Sequence, residues 1–406
     1  MNLLRDEGVV WYPWSAFPPT RAAARAVGLV GHGCSEAACV DVLFDAAVSW
    51  RYGISAVLSA APGAASRSLS AAPGDAQPPL AAKSYVWLQD TGPGIATLLR
   101  SEHALARLDA IFVLSEFHAS QLHAESQHKV VVSSNALHPS FFQYAPALRA
   151  AGATAEADVE AAGTAGVAAA PRRVRNSFVY ASAPNRGLET VLQHWSEIRR
   201  RIAAQERASA ASRPAGRQHS PAEATLTVYY GFSPSFLKWG RGAMPNFDAW
   251  LERMHALLAQ PGVRYVGMVD HHTLAQAYAA TEFYLYPTTY PETGCVAMMK
   301  ALALGAVPIT SRHPRSTLPE LTQEWDLGPA PPNNAAAMDD AWAARWVESV
   351  VRAAVPAEAP RIAAHRAAMM EWAQLRYRWS KTARIWIDQM RGGGAAREAA
   401  THSATS

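Results

Sequence analysis

Short apolar runs rich in β-branched and aromatic residues alternate along the chain with segments of helical period, the pattern of parallel strands joined by crossover helices. In the first half the strand-like runs fall at 9–14, 55–59, 85–89, 111–114 and 130–133. Between the first two, 34–51 places Ala38, Leu43, Phe44, Ala47 and Val48 near helical spacing, which predicts a helix burying one face on the sheet. In the second half, strands are expected at 177–181, 226–230, 263–269, 283–287 and 307–310, and helices at 187–205, 247–260, 273–280 and 294–304. Two more helical patterns, 341–355 and 362–390, carry Trp342, Trp346, Trp372, Trp379 and Trp386 as large apolar faces, which suit a core or domain packing better than a binding stripe. The fold class expected is α/β, with two Rossmann-like doubly wound domains of similar size.

Composition adds boundaries. A chain of 406 residues is long enough for two or three domains with sizeable cores. The stretch 145–175 is rich in Ala and Gly with few large apolar side chains, and reads as a linker or insertion between a first domain at 1–144 and a second at 176–391; 392–406 reads as a disordered tail. Segments 61–77 and 209–223 read as surface-loop insertions. The last helix is expected to pack back on the first domain. Charged residues make up 17%, below the usual value of about 25%, because alanine fills these stretches.

A net charge of +4 does not mark a nucleic-acid binder, and the clusters Arg172, Arg173, Arg175 and Arg199, Arg200, Arg201 read first as solvated linker and helix end. Three cysteines, Cys34, Cys39 and Cys295, lack the paired spacing of a disulfide framework or a zinc site, which suits a reducing compartment. Asp6 and Glu7 stand where a signal peptide needs its apolar region, and no run reaches the roughly 18 to 20 apolar residues of a membrane span. The expected location is cytoplasmic, with contact at a membrane surface left open.

In open α/β sheets ligands bind beyond the carboxyl ends of strands, so polar residues just after strands carry most weight. Four places qualify. Gly31-His32-Gly33-Cys34-Ser35-Glu36 leads into a helix start that suits an anion or a simple N-cap. Gln89-Asp90-Thr91-Gly92 ends a strand, and Asp90 can orient a hydroxyl, act as a base or cap the next helix. Ser182-Ala183-Pro184-Asn185-Arg186-Gly187-Leu188-Glu189 offers a forked donor beside helix N–H groups, unless Arg186 pairs locally with Glu189. The richest runs from Tyr286 to Thr310 and holds Glu292-Thr293-Gly294-Cys295-Val296, where a carboxylate able to accept from sugar hydroxyls precedes a helix start able to hold phosphate. His271-His272 invites a metal, but adjacent residues at a helix start point apart and no third ligand is spaced to join them.

This fourth segment resembles the donor-site helix of the group 1, family 4-like glycosyltransferases of the GT-B fold, whose pattern is Glu, seven residues, Glu, ending Ala-x-Ala-x-Gly-x-x-Pro. Glu292 matches the first glutamate, and Ala301, Ala303, Gly305 and Pro308 match the tail, while Lys300 stands where the second glutamate is expected. Gly33-Cys34-Ser35-Glu36 is similar to the family's Gly-Gly-Ser-Glu, and 182–188 to the head of its second domain. The stretches Ser115-Glu116-Phe117-His118 and Ser134-Asn135-Ala136-Leu137-His138-Pro139 resemble the end of its first domain.

The resemblance implies two domains facing a cleft and transfer of a sugar from a nucleotide-diphosphate sugar, with retention of configuration, to an acceptor that is a sugar, glycan, lipid or protein. It needs no cofactor beyond that co-substrate, and no metal. Asp90, Arg186 and Glu292 are the catalytic candidates it implies. Gly33, Arg186, Gly187, Glu292, Thr293, Gly294, Cys295, Val296 and Lys300 are the donor-binding ones. In this scheme Arg186 neutralises the β-phosphate and Glu292 holds sugar hydroxyls. Lys300, unable to accept from ribose hydroxyls, would meet phosphate or another part of the nucleotide. Ser115, Glu116 and His118 are alternative cleft residues. A non-catalytic nucleotide-sugar or glycan binding module on the same scaffold, and more weakly an epimerase, are the competing readings.

Overall fold

The computed structural model describes residues 40–44, 83–91, 100, 102–106, 108–142, 171–212, 222–330 and 338–391. Nine strands are described: β1 (Val40–Phe44), β2 (Lys83–Trp87), β3 (Ala110–Val113), β4 (Val130–Val132), β5 (Val174–Ser182), β6 (Thr225–Tyr230), β7 (Val263–Gly267), β8 (Thr281–Tyr286) and β9 (Val307–Thr310). The described helices are α1 (Glu102–Ala106), α2 (Glu116–Ser120), α3 (Leu188–Ala211), α4 (Pro234–Ala243), α5 (Phe247–Leu258), α6 (His271–Ala280), α7 (Val296–Leu304), α8 (Leu318–Thr322), α9 (Asp340–Ala353), α10 (Ala359–Arg376) and α11 (Trp379–Arg391). The chain divides into two compact units, one joining 1–136 to 378–406 and the other spanning 137–377.

In the first unit β1 to β4 form one parallel sheet in sequence order. The period of two sorts its side chains. Val86, Leu88, Ile111 and Val113 pack with Leu105, Leu108, Ala119 and Leu122 on one face. Tyr85, Trp87 and Phe112 lie on the other, under α11. There the Trp386 ring stacks on Phe112 at 5.0 Å and meets Trp87 edge-on at 4.7 Å. Its Nε1 donates to Ser133 Oγ at 2.6 Å.

In the second unit five parallel strands run β7-β6-β5-β8-β9. The chain builds outward from β5 to one edge and then returns to add β8 and β9 on the other side, so the order reverses between β5 and β8. Beyond the carboxyl ends of such a pair the following loops diverge, one toward each face, and leave room for a ligand. The core is apolar on both faces: α3 buries Leu188, Val191, Leu192, Trp195, Ile198 and Ile202, while α7 buries Met298, Met299 and 301–304. From α9, the Trp346 Nε1 donates to Ile309 O at 3.2 Å, so a large apolar ring reaches the core without orphaning its N–H.

Several elements differ from expectation. Within the helix predicted at 34–51, Val40–Phe44 is a strand paired with Lys83–Trp87, since a short apolar run with two valines satisfies a parallel ladder as readily as a helix face. The stretch 145–175 is not linker to its end. Strand β5 begins at Val174, and Arg173 is half-buried, donating to Leu304 O at 2.9 Å, to Tyr278 O at 3.3 Å and to Thr281 O. These carbonyls close α6 and α7, where a cation is favoured. The loop expected from 209 begins later, because α3 runs on through Ala211. Arg199 and Arg201 lie inside that helix and pair with Glu223, Glu197 and Glu348. The helix read at 362–390 is two, divided at Tyr377, which is buried, accepts from Leu137 N at 3.0 Å and donates from its hydroxyl to Leu321 O. The strands expected at 9–14 and 55–59, and segment 61–77, lie outside the described residues.

Candidate functional site

The loops after β5 and β8 bring together residues more than a hundred positions apart. Arg186 Nη1 donates to Glu292 Oε1 at 2.9 Å. Glu292 is 5% exposed. The same carboxylate oxygen accepts from the Tyr286 hydroxyl, which sits 3.2 Å from Ser182 Oγ. The Arg186 guanidinium lies over the Tyr290 ring, its Cζ 3.7 Å from the centroid. Burial works against the Arg186 charge, yet Glu292 and the phenols of Tyr286 and Tyr290 outweigh it and hold its pKa above the ordinary value. The cation is therefore secure, and its remaining guanidinium donors are available to a ligand. Glu292 Oε2 takes no hydrogen bond among the described residues.

The backbone explains the placement. Gly187, at φ 103°, caps α3 from the left-handed region, and a Cβ there would lie 2.1 Å from Pro287 O. Only glycine lets the β5 and β8 loops approach so closely. Gly187→Ala is expected to cost at least about 1–3 kcal/mol from backbone strain, with the carbonyl collision adding to it; a urea midpoint equal to wild type would contradict the close approach. The Glu292 loop is braced by Thr317 N donating to Glu292 O at 2.7 Å and Tyr290 N donating to Thr288 Oγ1 at 3.0 Å. Thr293 is buried, and Cys295, at the cap of α7, is buried with its thiol pushed well up in pKa by burial, then by Glu292. Cys295 thus behaves as packing, not as a nucleophile. No described acceptor takes the backbone N–H of Gly294, Cys295 or Val296, which leaves the start of α7 suited to an anion.

Lys300 lies one turn into α7, half-buried with its ammonium over the Phe141 ring. Burial lowers its pKa. Gly33 lies outside the described residues. Asp90, in the first unit, is exposed and accepts from Thr91 N at 2.8 Å. Ser115 is the buried N-cap of α2, accepting from His118 N, and Glu116 is exposed. His118 is buried with both ring nitrogens spent on backbone: Nδ1 accepts from Leu114 N at 3.3 Å, so Nε2 carries the proton and donates to Asp90 O at 3.2 Å. It fixes the loop that bears Asp90. Burial lowers its pKa from 6.5 to about 4, against the opposing pull of Asp90. The unfolded chain therefore takes up a proton that the fold refuses. Stability is full above pH 6.5 and should fall by about 1.4 kcal/mol per pH unit as pH drops toward 4. Urea melts at several pH values should show that slope in wild type and a flatter one in His118→Gln.

Tyr286, Tyr290 and Ser182 stand within the candidate segments that follow strands, but the sequence assigned no role to any of them. Among the described residues no three His, Cys, Asp or Glu side chains group as metal ligands, and no helix is long and apolar enough to cross a membrane.

No protein-family model and no curated protein matches the sequence. Among solved structures, a glycosyltransferase from Rickettsia africae ESF-5 aligns over 97% of this chain and 88% of its own, with a TM-score of 0.52 and 12% identity. The chain has the GT-B fold. HepE of Anabaena, solved with UDP-glucose, aligns over 76% of this chain and 71% of its own at a TM-score of 0.48 and 12% identity. Sucrose-phosphate synthase of Thermosynechococcus elongatus aligns over 76% and 67% at 0.44 and 17%. Within the GT-B fold of this chain, Arg186 and Glu292 occupy the order reversal of the second sheet.

Proposed function

We propose that the protein is a glycosyltransferase whose second unit binds a nucleotide-diphosphate sugar and passes the sugar to an acceptor. The observation that supports this reading best is the Arg186–Glu292 pair at the order reversal of the second sheet, beside the unpaired N–H groups that open α7. A departing diphosphate gains negative charge. Arg186 and the N–H groups of Gly294, Cys295 and Val296 are preorganised to meet it, and such groups contribute most where charge develops. Glu292 Oε2 is the acceptor for a donor-sugar hydroxyl, with Oε1 held by Arg186 and Tyr286. Gly187 and Thr293 shape the donor site, to which Gly33 is also assigned, and Asp90 is assigned to the acceptor side. The reaction proposed retains anomeric configuration and draws on no metal, because the fixed cations and dipoles supply the countercharge.

The test is a panel of nucleotide sugars and free nucleotides, read by thermal shift and by donor hydrolysis. One nucleotide class should raise the melting temperature and its sugar should be released slowly. If no member of the panel shifts the melting curve, the reading fails. Binding of a donor with no transfer to any acceptor and no hydrolysis would favour a binding module instead.

A further inference from the structure

On the second unit, three basic side chains come together beside Phe141. The Lys300 ammonium lies 4.8 Å from the Phe141 ring centroid. The His271 ring stands 5.6 Å from Phe141 and 5.4 Å from His138. They come from three separate elements: Lys300 from α7, His271 from the first position of α6, and His138 from the residue before the turn Pro139–Phe141. His138 Nδ1 accepts from Ser140 N at 3.3 Å and lies 3.0 Å from Ser140 Oγ, so its proton sits on Nε2 and that N–H is free to donate.

Among the described residues neither Lys300 nor His271 has a hydrogen-bond partner or a carboxylate. The one acid beside them, Asp270, is already committed. It accepts from His272 N at 2.8 Å, from Thr273 N at 2.9 Å and from the Thr273 hydroxyl at 2.7 Å. Cys295 is the other titratable group near Lys300. Burial, then Lys300 and His138, depress the His271 pKa while Asp270 opposes them. A half-buried ammonium held by one aromatic face, beside two imidazoles, is costly unless an anion completes the group.

We infer that Lys300, His271 and His138 bind a phosphate monoester. Three donors arriving from three elements match the three terminal oxygens of a tetrahedral phosphoryl group, whereas a planar carboxylate offers only two. The ligand is either free phosphate or a nucleotide carrying a phosphate monoester besides its diphosphate. This site goes beyond the transfer reading and does not depend on Arg186 or Glu292.

The histidine Cε1–H resonances of the whole protein, followed by NMR, test it. Wild type, Lys300→Met and His271→Phe are titrated with inorganic phosphate, a nucleoside 5′-diphosphate and a nucleoside 3′,5′-bisphosphate. Inorganic phosphate should shift the His138 and His271 signals saturably, and Lys300→Met should weaken that binding about tenfold or more, as expected for a lost charge-assisted pair. His271→Phe, which keeps the ring stacking, should weaken it as well and serves if Lys300→Met does not fold. A bisphosphate binding much tighter than the free ion places the phosphate on a nucleotide; equal affinity identifies the free ion. Signals that do not move, or that move equally in the variants, overturn the inference. That failure is separable from failure of the transfer reading, which shows as a melting curve that no nucleotide or nucleotide sugar shifts.

Discussion

Replacing Arg186 by alanine is expected to lower glycosyl transfer, or donor hydrolysis where no acceptor is supplied, by about 100- to 1,000-fold at saturating donor. In the proposed reaction the guanidinium meets the departing diphosphate, and its removal also strands Glu292, a buried carboxylate whose neutralising neighbour is gone. Glu292→Gln separates the two effects. Glutamine keeps an acceptor for the Tyr286 hydroxyl and for a guanidinium N–H, but not the charge. If the residues act as one unit, Arg186→Ala in the Glu292→Gln background should cost much less than in wild type. Single-turnover rates with the nucleotide sugar selected by the panel decide this. A fully additive pair, or an Arg186→Ala rate within about threefold of wild type, would remove Arg186 from the chemistry.

The largest effect on stability is expected from Trp386→Ala, which should cost about 3–5 kcal/mol. The ring fills the face of the first sheet between Trp87 and Phe112, and deleting it leaves a cavity and an unpaired Ser133 hydroxyl. Trp386→Phe keeps most of the volume and loses the hydrogen bond, so about 1 kcal/mol beyond the packing change is expected. Urea unfolding, with near-UV circular dichroism reporting the tryptophan cluster, measures both. An alanine variant with an unchanged midpoint would contradict the packing described.

What was legible in advance followed local physics. The strand Val307–Thr310 and helix α5 announce themselves because the runs have the length and period of their elements and breakers on either side. Helix α4 was missed: Gly240 and Gly242 lower its propensity, and its signals are a Ser233 cap accepting from Phe236 N and a proline in the first turn. Gly240 earns its place through a neighbour, since a Cβ there would strike the Phe247 ring. Arg173 illustrates the opposite error, a basic residue in a low-complexity setting whose partners are carbonyls contributed by distant helices. The site divides the same way. Arg186 and Glu292 stood out as polar residues just past strands, but their mutual hydrogen bond, the Tyr286 hydroxyl and the Tyr290 ring depend on strand order, which no local window reveals. Lys300 was visible as a cation in a position of note; its company of His138, His271 and Phe141 was not.

Helix α11 has a consequence for how the protein is made. Tyr85, Trp87 and Phe112 leave the ribosome long before Trp386, and the whole second unit is translated in between. At about 5–20 residues per second the aromatic face of the first sheet waits on the order of tens of seconds for its cover. During that interval the nascent chain exposes three large rings on one face of a parallel sheet whose described strands are already made. Folding of the first unit therefore ends after synthesis of the second.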